Sequence, residues 1–597
     1  MRPIAEPAQA SAGVTRAGGA RVRVAVQPDL ASGETASGAN ARGQNTCGQN
    51  ARGQNERGTE SGADSGAAWS YLLPERELGT ILSLGQPTEA TRATLKQIGR
   101  ELIVVPAGRL PGPLPVGSVA LVAVLDPWWT DRLAVDRKLG TDLERVIASD
   151  GSVFARLGRP ARAKARAKAR AKAGRKAGAE LPLGSGGEGM LWLGSSAGEI
   201  RAIVAAEDQP LIDFAMARLD RDEEPGTGGG RLARTVRRLR GRGFERELGV
   251  LHVPIDAGNI ERPPRYVRIA AAAAGLSIDD RRWALVDPGS YTTRKLLLYL
   301  FEPGATEPDL VVKLVRDARF NARLEGAWRA LSALRVGPPE VRWLGPVPAF
   351  IGSHAGLAFM AESVVAGDPL EDRLTGRPDD PLIATVIDRL VGLAMTSATA
   401  SAASPAQVAA DLQAMYERFA GLYRPTAPER KVLTSAIDRI AGLEGSFPLV
   451  LQHGEAGAWN VVVAPGGEPV LTDWEAAVPH GMPLWDLLYF LRSVAVGSAR
   501  RAGTGDPLVA FEEAYLVGQT PFSRLLAEAT DRLCAGIGLE RDLVEPIFYL
   551  CWMHRALKES SALRPDRMSR GHYRKLLALA IDRRAAPGLQ QVFGAGQ

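Results

Sequence analysis

The most informative part of the C-terminal half of this chain is residues 449–475, LVLQHGEAGAWNVVVAPGGEPVLTDWE. Short apolar runs alternate with polar turns in it, a pattern that predicts strand, loop, strand, turn and strand. The Pro-Gly-Gly turn at 465–467 predicts a hairpin, because proline and glycine supply the backbone angles of tight turns. Closure of this hairpin is expected to bring Glu455, Asn460 and Asp473 together at one end.

These three side chains are of the kinds that phosphoryl transfer requires. One carboxylate receives the proton of the attacking hydroxyl, while an amide oxygen and a second carboxylate hold Mg²⁺. The set of Glu455, Asn460 and Asp473 therefore fits phosphoryl transfer.

The same stretch resembles the motif of the aminoglycoside phosphotransferase and choline-kinase-like family. That motif reads His-Gly-Asp, four residues, Asn, and later Asp-Trp/Phe-Glu/Asp. This chain has His453-Gly454-Glu455, then Asn460, then Asp473-Trp474-Glu475. A later aspartate of the family corresponds to Asp486 in PLWDLLYFL, where it is expected to support the loop at 453. The resemblance covers about residues 280–597.

The resemblance implies an α+β, bilobal, protein-kinase-like C-terminal domain that uses ATP and Mg²⁺ to phosphorylate a hydroxyl of a small molecule. It implies that Glu455 accepts the hydroxyl proton, that Asn460 and Asp473 bind the metal, and that His453 belongs to the catalytic loop, which it orients. The acceptor stays open among sugars, aminoglycosides, choline-like alcohols and lipid-linked glycans.

Glu455 departs from the family pattern, which has aspartate at this position. Glutamate has the same acid chemistry, but its carboxylate lies one methylene farther from the backbone, and catalysis is sensitive to displacements near ~1 Å. A non-catalytic nucleotide-binding module, a pseudokinase, therefore stands as the alternative.

Upstream residues match the other half of such a site. Lys313 in VVKLVRD falls on a predicted strand, where the family's ATP-phosphate lysine lies. The resemblance implies that Glu325, in the following helix (NARLEGAWRAL), is its ion-pair partner.

Two further segments are expected to bind the nucleotide. The turn DPGSYTTRK, with Gly289 and Ser290, lies where the phosphate-covering hairpin belongs. FMAESVVAGDPL is the implied hinge, and its backbone from Glu362 to Val364 is expected to hydrogen-bond adenine.

The section from 69 to 250 predicts an α/β, Rossmann-like domain, because apolar strand-like runs alternate with helix-like stretches. It weakly resembles a class I S-adenosylmethionine-dependent methyltransferase, which would place chemistry in this half. Such enzymes need a glycine-rich turn, and only Gly85 follows the first strand-like run, GTILSL. A degenerate scaffold domain is therefore the favoured interpretation.

The chain has 597 residues and a net charge of +6. Residues 159–178 hold nine Lys and Arg and no acid, and removing that charge from +6 leaves −3 for the rest. The basicity thus belongs to one solvated insert, through which contact with nucleic acid or an anionic surface is the alternative. Residues 1–68 contain no aromatic side chain and are expected to be a disordered, low-complexity tail.

The remaining boundaries follow from the composition. We expect a linker over 251–280, a kinase-like N-lobe over 281–365 and a helical C-lobe over 366–597. Three cysteines without CxxC spacing, no long apolar run and no signal-like N-terminus indicate a cytoplasmic protein without a membrane span.

Overall fold

The computed structural model describes most of the chain from Ala68 onward. The described residues are 68–73, 77–107, 114–158, 187–196, 199–205, 208–222, 245–253, 261–288, 295–398, 402–561, 563, 568 and 570–594. The predicted tail, apart from Ala68 in a 3₁₀ helix (Ala68–Leu72), and the basic insert 159–178 lie outside these residues.

One twelve-stranded sheet runs through both halves of the chain. In chain order its strands are β1 (Leu78–Leu84), β2 (Gly99–Val105), β3 (Val119–Val124), β4 (Ile147–Gly158), β5 (Gly187–Ser196), β6 (Glu199–Ala205), β7 (Glu245–Val253), β8 (Arg282–Val286), β9 (Leu296–Phe301), β10 (Leu310–Leu314), β11 (Pro348–His354) and β12 (Leu357–Ser363). Across the sheet the order is β11-β12-β10-β9-β8-β6-β5-β7-β4-β3-β1-β2. Strands β1 to β4 pair in parallel, and the other neighbours are antiparallel.

The two halves join where β6 pairs with β8. Ala202 lies opposite Val286 and Val204 opposite Ala284 in this pairing. The Arg201 side chain adds a 2.8 Å hydrogen bond to the Asp287 carbonyl, at the start of the predicted phosphate-covering turn. Because main-chain hydrogen bonds continue across the junction, the C-terminal half is built onto the edge of the N-terminal sheet.

The linker expected over 251–280 is corrected by the structure. Strand β7 extends to Val253, and helix α5 (Arg265–Ala273) lies within the range. Tyr266 and Val267 of α5 are buried in a hydrophobic cluster that also contains residues of both halves, such as Phe154 and Phe359. The alanines of this helix are small enough for it to pack closely on the sheet.

The N-terminal half adds helices to its parallel strands. They are α1 (Glu89–Ile98), α2 (Pro127–Val135), α3 (Arg137–Val146) and α4 (Gln209–Asp222). Gly85, after β1, has φ +103°, and a side chain there would collide with Asp126. Its N–H donates to the Val105 carbonyl at 2.8 Å, so this turn packs on its neighbouring strands. The description of this half as Rossmann-like stays a prediction.

Strands β8 to β12 and helix α6 (Asn321–Val336) form the N-lobe. Leu324, Ala327, Leu331 and Leu334 recur at helical spacing and are buried, which gives α6 one apolar face toward the sheet. The Asn321 side chain fixes the start of the helix, because it bonds the main chain at both Gly356 and Ala358.

The C-lobe is mostly helical. The short helix α7 (Pro339–Arg342) still belongs to the N-lobe range, and the helices of the C-lobe are α8 (Leu370–Arg373), α9 (Pro381–Ala398), α10 (Pro405–Tyr423), α11 (Ala427–Ala441), α12 (Trp485–Arg501), α13 (Pro507–Phe511), α14 (Pro521–Ile537), α15 (Val544–Ser560), α16 (His572–Asp582) and α17 (Pro587–Phe593). Helix α15 is central, with Phe548 and Trp552 fully buried. The hydrophobic core of the C-lobe continues into the N-lobe through α6.

Short strands complete the C-lobe beside the N-lobe. They are β13 (Asp368–Pro369), β14 (Ala402–Ala403), β15 (Phe447–Pro448), β16 (Val450–Gln452), β17 (Val461–Val463), β18 (Pro469–Leu471) and β19 (Val478–Gly481). Strands β17 and β18 form the hairpin predicted from 449–475, and β13 pairs with β17.

Helix α9 is the one helix in the described part of the chain that is long and apolar enough to cross a membrane, by length and composition alone. Ile383, Val386 and Leu390 of this helix are buried in the C-lobe core. This packing is that of a core helix.

Candidate active site

A cavity of about 990 Å³ lies between the N-lobe and the C-lobe. The N-lobe contributes Lys295, Lys313 and Glu362 to its wall. From the C-lobe the residues predicted for catalysis face it, namely Glu455, Asn460 and Asp473. The structure thus brings to one cavity the upstream lysine and the downstream motif, which are more than 100 residues apart in the sequence.

The hairpin of β17 and β18 places Asn460 beside Asp473. Val461 lies opposite Leu471, and the Thr472 N–H donates to the Asn460 carbonyl at 2.7 Å. Asp473 follows with φ +64°, a left-handed conformation that an aspartate tolerates better than most residues. The Asn460 Nδ2 donates to the Glu455 carbonyl at 2.9 Å, which leaves its Oδ1 for another partner.

His453 orients the catalytic loop through both ring nitrogens. Nδ1 accepts the Glu455 N–H at 3.2 Å, so Nε2 carries the proton and donates to the Thr472 carbonyl at 2.9 Å. The ring is fully buried, and burial lowers the pKa of His453. Both ring nitrogens are therefore engaged in hydrogen bonds to the main chain.

Asp486, at the start of α12, binds the main chain of the same loop. Its carboxylate accepts the main-chain N–H groups of His453 at 2.6 Å and Gly454 at 3.0 Å. Gly454 has φ +78°, and a side chain there would collide with the Ala476 carbonyl. The loop therefore requires glycine at this position.

Glu455 extends from this loop toward α15. Its Oε1 lies 3.0 Å from the Lys558 Nζ, and that ammonium also donates to the Gly454 carbonyl at 3.1 Å. The ion pair places a cation directly beside the predicted proton acceptor. Lys558 is absent from the residues that the sequence singled out, because its only signal is one more charge on a helix.

Lys295 pairs with the predicted metal ligand Asp473 and with the neighbouring Glu475. Its Nζ lies 2.9 Å from the Asp473 Oδ1 and also forms an ion pair with Glu475. Burial alone would lower the pKa of Lys295, but the two carboxylates raise it. Burial alone would likewise raise the pKa of Asp473, which the charges of Lys295 and Lys313 instead hold well below its usual range. Neither Lys295 nor Glu475 was predicted as a site residue.

The expected partner of Lys313 is wrong. Glu325 is exposed, whereas the Lys313 Nζ lies 2.7 Å from the Glu362 Oε1. The reason is helical geometry: Leu324 and Ala327 face the sheet, and the intervening Glu325 turns toward solvent. Glu362 lies on β12, which pairs with β10 beside Lys313.

The predicted hinge lines the cavity, but some of its hydrogen-bonding groups already have partners within the protein. Glu362 is a strand residue whose side chain serves Lys313, and the Val364 N–H already donates to the Asp309 carbonyl at 2.8 Å. An adenine bond to the Val364 N–H is therefore not available in this conformation. Gly289 and Ser290 lie outside the described residues.

A strand-rich lobe, a helical lobe and a lysine and aspartate facing each other across the cavity define a protein-kinase-like fold. Residues 297–526 match the model of the APH family, described as the phosphotransferase enzyme family. The family resemblance is confirmed for that segment. No curated protein sequence matches the chain at a significant level.

Solved structures that match part of the chain include two aminoglycoside phosphotransferases and a choline kinase. The enzyme from Streptomyces rimosus has 15% identity over 48% of this chain and 95% of that chain, with a TM-score of 0.28. That from Alicyclobacillus acidocaldarius has 12% identity over 50% and 88%, with a TM-score of 0.27. The choline kinase LicA from Streptococcus pneumoniae has 14% identity over 49% and 91%, with a TM-score of 0.27.

Proposed function

We propose that residues 281–597 form a phosphotransferase that moves the γ-phosphoryl group of ATP to a hydroxyl of a small molecule, with Mg²⁺ as cofactor. The observation that carries the proposal is the convergence of Glu455, Asn460 and Asp473 with Lys313 on one cavity. The family match of residues 297–526 supports the same class of reaction.

The donor set fits Mg²⁺. This ion binds oxygen ligands and is held in phosphoryl-transfer sites by one or two carboxylates together with substrate phosphates. Asp473 supplies a carboxylate of strongly acidic character and Asn460 an amide oxygen, and a cation, the Lys295 ammonium, already contacts Asp473. Asn460 and Asp473 would hold the metal, which supplies positive charge to the phosphate oxygens.

The side chains of this chain then divide the reaction between them. Lys313, held by Glu362, neutralises the phosphates of ATP. The acceptor oxygen forms a bond to the γ-phosphorus. The bond between that phosphorus and the oxygen bridging it to the β-phosphate breaks at the same time, and ADP leaves. The Glu455 carboxylate takes the hydroxyl proton, and the loop that carries it is held by His453 and Asp486. Positioning and charge stabilisation account for most of the catalysis in such a reaction.

A nucleotide-binding module without turnover is the second candidate. It is favoured by Glu455 in place of the family's aspartate and by its ion pair with Lys558. A base that must release a lysine before it receives a proton would be slow, and this candidate predicts nucleotide binding with no transfer.

Methyltransferase chemistry in the N-terminal half is the third candidate. The turn after β1 is closed by main-chain bonds: the Gly85 N–H donates to the Val105 carbonyl at 2.8 Å, and the Leu125 N–H to the Leu84 carbonyl at 2.9 Å. A glycine explained by close packing does not call for a ligand, which disfavours this candidate. The cytoplasmic location and the anion-binding role of the insert 159–178 stay predictions.

Calorimetric titration of the full chain with ATP and MgCl₂, and separately with S-adenosylmethionine, tests the proposal. We expect ATP to bind only with the metal and S-adenosylmethionine not to bind. A metabolite extract with γ-labelled ATP should then yield a labelled product. Binding without a labelled product from any extract favours the second candidate, and absence of ATP binding contradicts the proposal.

A further inference from the structure

The wall of the cavity beside Glu455 contains a buried guanidinium. Arg555, on α15, is 7% exposed, and its guanidinium carbon lies 3.6 Å from the centre of the Tyr489 ring. Its Nη1 donates to the Gly454 carbonyl at 3.0 Å, while its buried Nε has no hydrogen-bond partner. Within the described part of the chain, no carboxylate pairs with this cation.

Lys558 lies one turn further along α15 and faces the same part of the cavity. It shares the Gly454 carbonyl with Arg555 and has Glu455 as its carboxylate partner. Burial lowers the pKa of Lys558, against the attraction of Glu455. Arg555 and Lys558 therefore both bind one carbonyl, and the one nearby carboxylate, Glu455, pairs with Lys558. Burying the remaining positive charge without a counter-charge is costly.

The carboxylates of the cavity wall are, by contrast, already engaged. Glu362 pairs with Lys313, and both Asp473 and Glu475 pair with Lys295. The Asp486 carboxylate accepts two main-chain N–H groups of the catalytic loop. A polycationic acceptor would find no unengaged carboxylate among the residues described around this cavity, whereas an anion would find the Arg555 Nε without a hydrogen-bond partner, with Lys558 beside it.

We propose that the phosphoryl acceptor is a hydroxyl compound that also carries an anionic group, a carboxylate or a phosphate, and that Arg555 and Lys558 bind this group. The inference rests on the proposed function, because it places the acceptor beside Glu455. A guanidinium presents its N–H groups in a planar fork that matches both kinds of anion. Displacement of Lys558 toward the anion also frees Glu455 to receive the hydroxyl proton.

The test uses the full chain saturated with Mg²⁺ and the non-hydrolysable analogue AMP-PNP, so that the γ-phosphate position is filled. Inorganic sulfate and gluconate are the probes for phosphate-type and carboxylate-type anions, and glucosamine is the cationic probe, all at matched ionic strength. Calorimetry should show that at least one anion binds. Glucosamine should bind at least about tenfold more weakly than that anion, a difference that corresponds to about one charge-assisted hydrogen bond.

Variants assign the binding to the two cations. Lys558→Gln should weaken the bound anion about tenfold, and Arg555→Met should abolish it, while AMP-PNP affinity stays near that of the wild type. Lys575→Gln, an exposed lysine of α16, is the matched control and should change neither. Arg555 also packs on Tyr489, so Lys558→Gln decides the question if Arg555→Met does not fold.

Three results would overturn the inference: no anion binds the AMP-PNP complex, glucosamine binds as well as the anions, or Lys558→Gln leaves anion binding unchanged. A loss of AMP-PNP affinity in Lys558→Gln would also overturn it, because the cations would then serve the nucleotide phosphates. Failure of AMP-PNP to bind the wild type instead contradicts the proposed function, and this inference with it.

Discussion

The ammonium group of Lys295 lies 2.9 Å from the carboxylate of Asp473, 178 residues away in the sequence. The contact joins the start of β9 in the N-lobe to the predicted metal ligand in the C-lobe. Glu475 completes the cluster, with a side chain that is 14% exposed. Asp473 and Glu475 thus share Lys295 as their ion-pair partner.

Removal of that lysine should destabilise the protein. Lys295→Met leaves Glu475 and Asp473 without their cation, and we expect a loss of about 1–3 kcal/mol in the free energy of unfolding, the cost of an unsatisfied buried group. Urea unfolding without nucleotide or metal measures it. Glu475→Gln in the same background should recover part of the loss, and strictly additive effects of the two substitutions would contradict the coupling.

The partner of Lys313 can be tested by two matched substitutions. Glu362→Gln leaves the Lys313 ammonium, whose side chain is 9% exposed, without its carboxylate, so kcat/KM for ATP should fall by about tenfold or more. Glu325→Gln, on the solvent side of α6, should leave kcat/KM near the wild-type value. The reverse pattern would restore the pairing that the family resemblance implied.

The contrast between these two glutamates shows what sequence could and could not reveal. The hairpin of β17 and β18 was predictable, because its strands and turn lie within one short stretch and its contacts are local. The error at Glu325 came from transferring a family role without the register of α6, in which Leu324 and Ala327 already define the buried face.

Other features arise from contacts between distant segments. The ion pair of Glu455 with Lys558 joins a loop to a helix about 100 residues later, and neither charge stands out from the many surface charges. The pairing of β6 with β8 is also invisible in the sequence, because apolar edge strands do not specify which neighbour they will meet.

Two partly buried histidines should make the protein lose stability in mild acid. Burial lowers the pKa of His554 to about 3 and that of His572 to about 4, from an ordinary value of 6.5. The unfolded chain therefore binds protons below pH 6.5 that the folded chain does not, and stability falls as the pH drops from 6.5 toward those values. Each histidine contributes up to about 1.4 kcal/mol per pH unit.

Urea unfolding between pH 7 and about pH 5, above the range where most carboxyls titrate, measures this slope. His572→Gln and His554→Phe should each reduce it, whereas substitution of the exposed His480 by Gln should leave it unchanged. Some slope should remain because burial also lowers the pKa of His453, but a slope as steep as that of the wild type would contradict the assignment to His554 and His572.

Asp473→Asn should weaken the metal-dependent step of nucleotide binding. The carboxylate that Lys295 and Lys313 keep strongly acidic becomes a neutral amide, and Mg²⁺ loses the charge of its main ligand. Calorimetry should show that ATP affinity with MgCl₂ falls toward the affinity without metal, and turnover should be abolished. An ATP affinity that responds to Mg²⁺ as in the wild type would exclude Asp473 as the ligand.

Substitution of Glu455 should have a different effect, because its carboxylate acts on the acceptor, whereas its contact with the metal ligand Asn460 is through the main-chain carbonyl. Glu455→Gln keeps the size of the side chain and removes its basicity, so kcat should fall by about 10²–10⁴-fold while ATP affinity stays close to that of the wild type. The measurement is single-turnover transfer of labelled phosphate, beside calorimetry with ATP and MgCl₂. A parallel loss of ATP affinity would place Glu455 in the metal site instead of at the acceptor.

Glu455→Asp distinguishes a working kinase from a decayed one. The wild-type carboxylate reaches Lys558 at 3.0 Å, and a side chain shorter by one methylene withdraws from both that lysine and the acceptor. If the site is adapted to glutamate, the aspartate variant should be slower than the wild type with unchanged ATP affinity, since displacements near ~1 Å are costly in catalysis. If the wild type transfers no phosphate to any acceptor and Glu455→Asp does, the domain is a decayed kinase. Its inactivity is then caused by the longer glutamate side chain at a site that is otherwise intact.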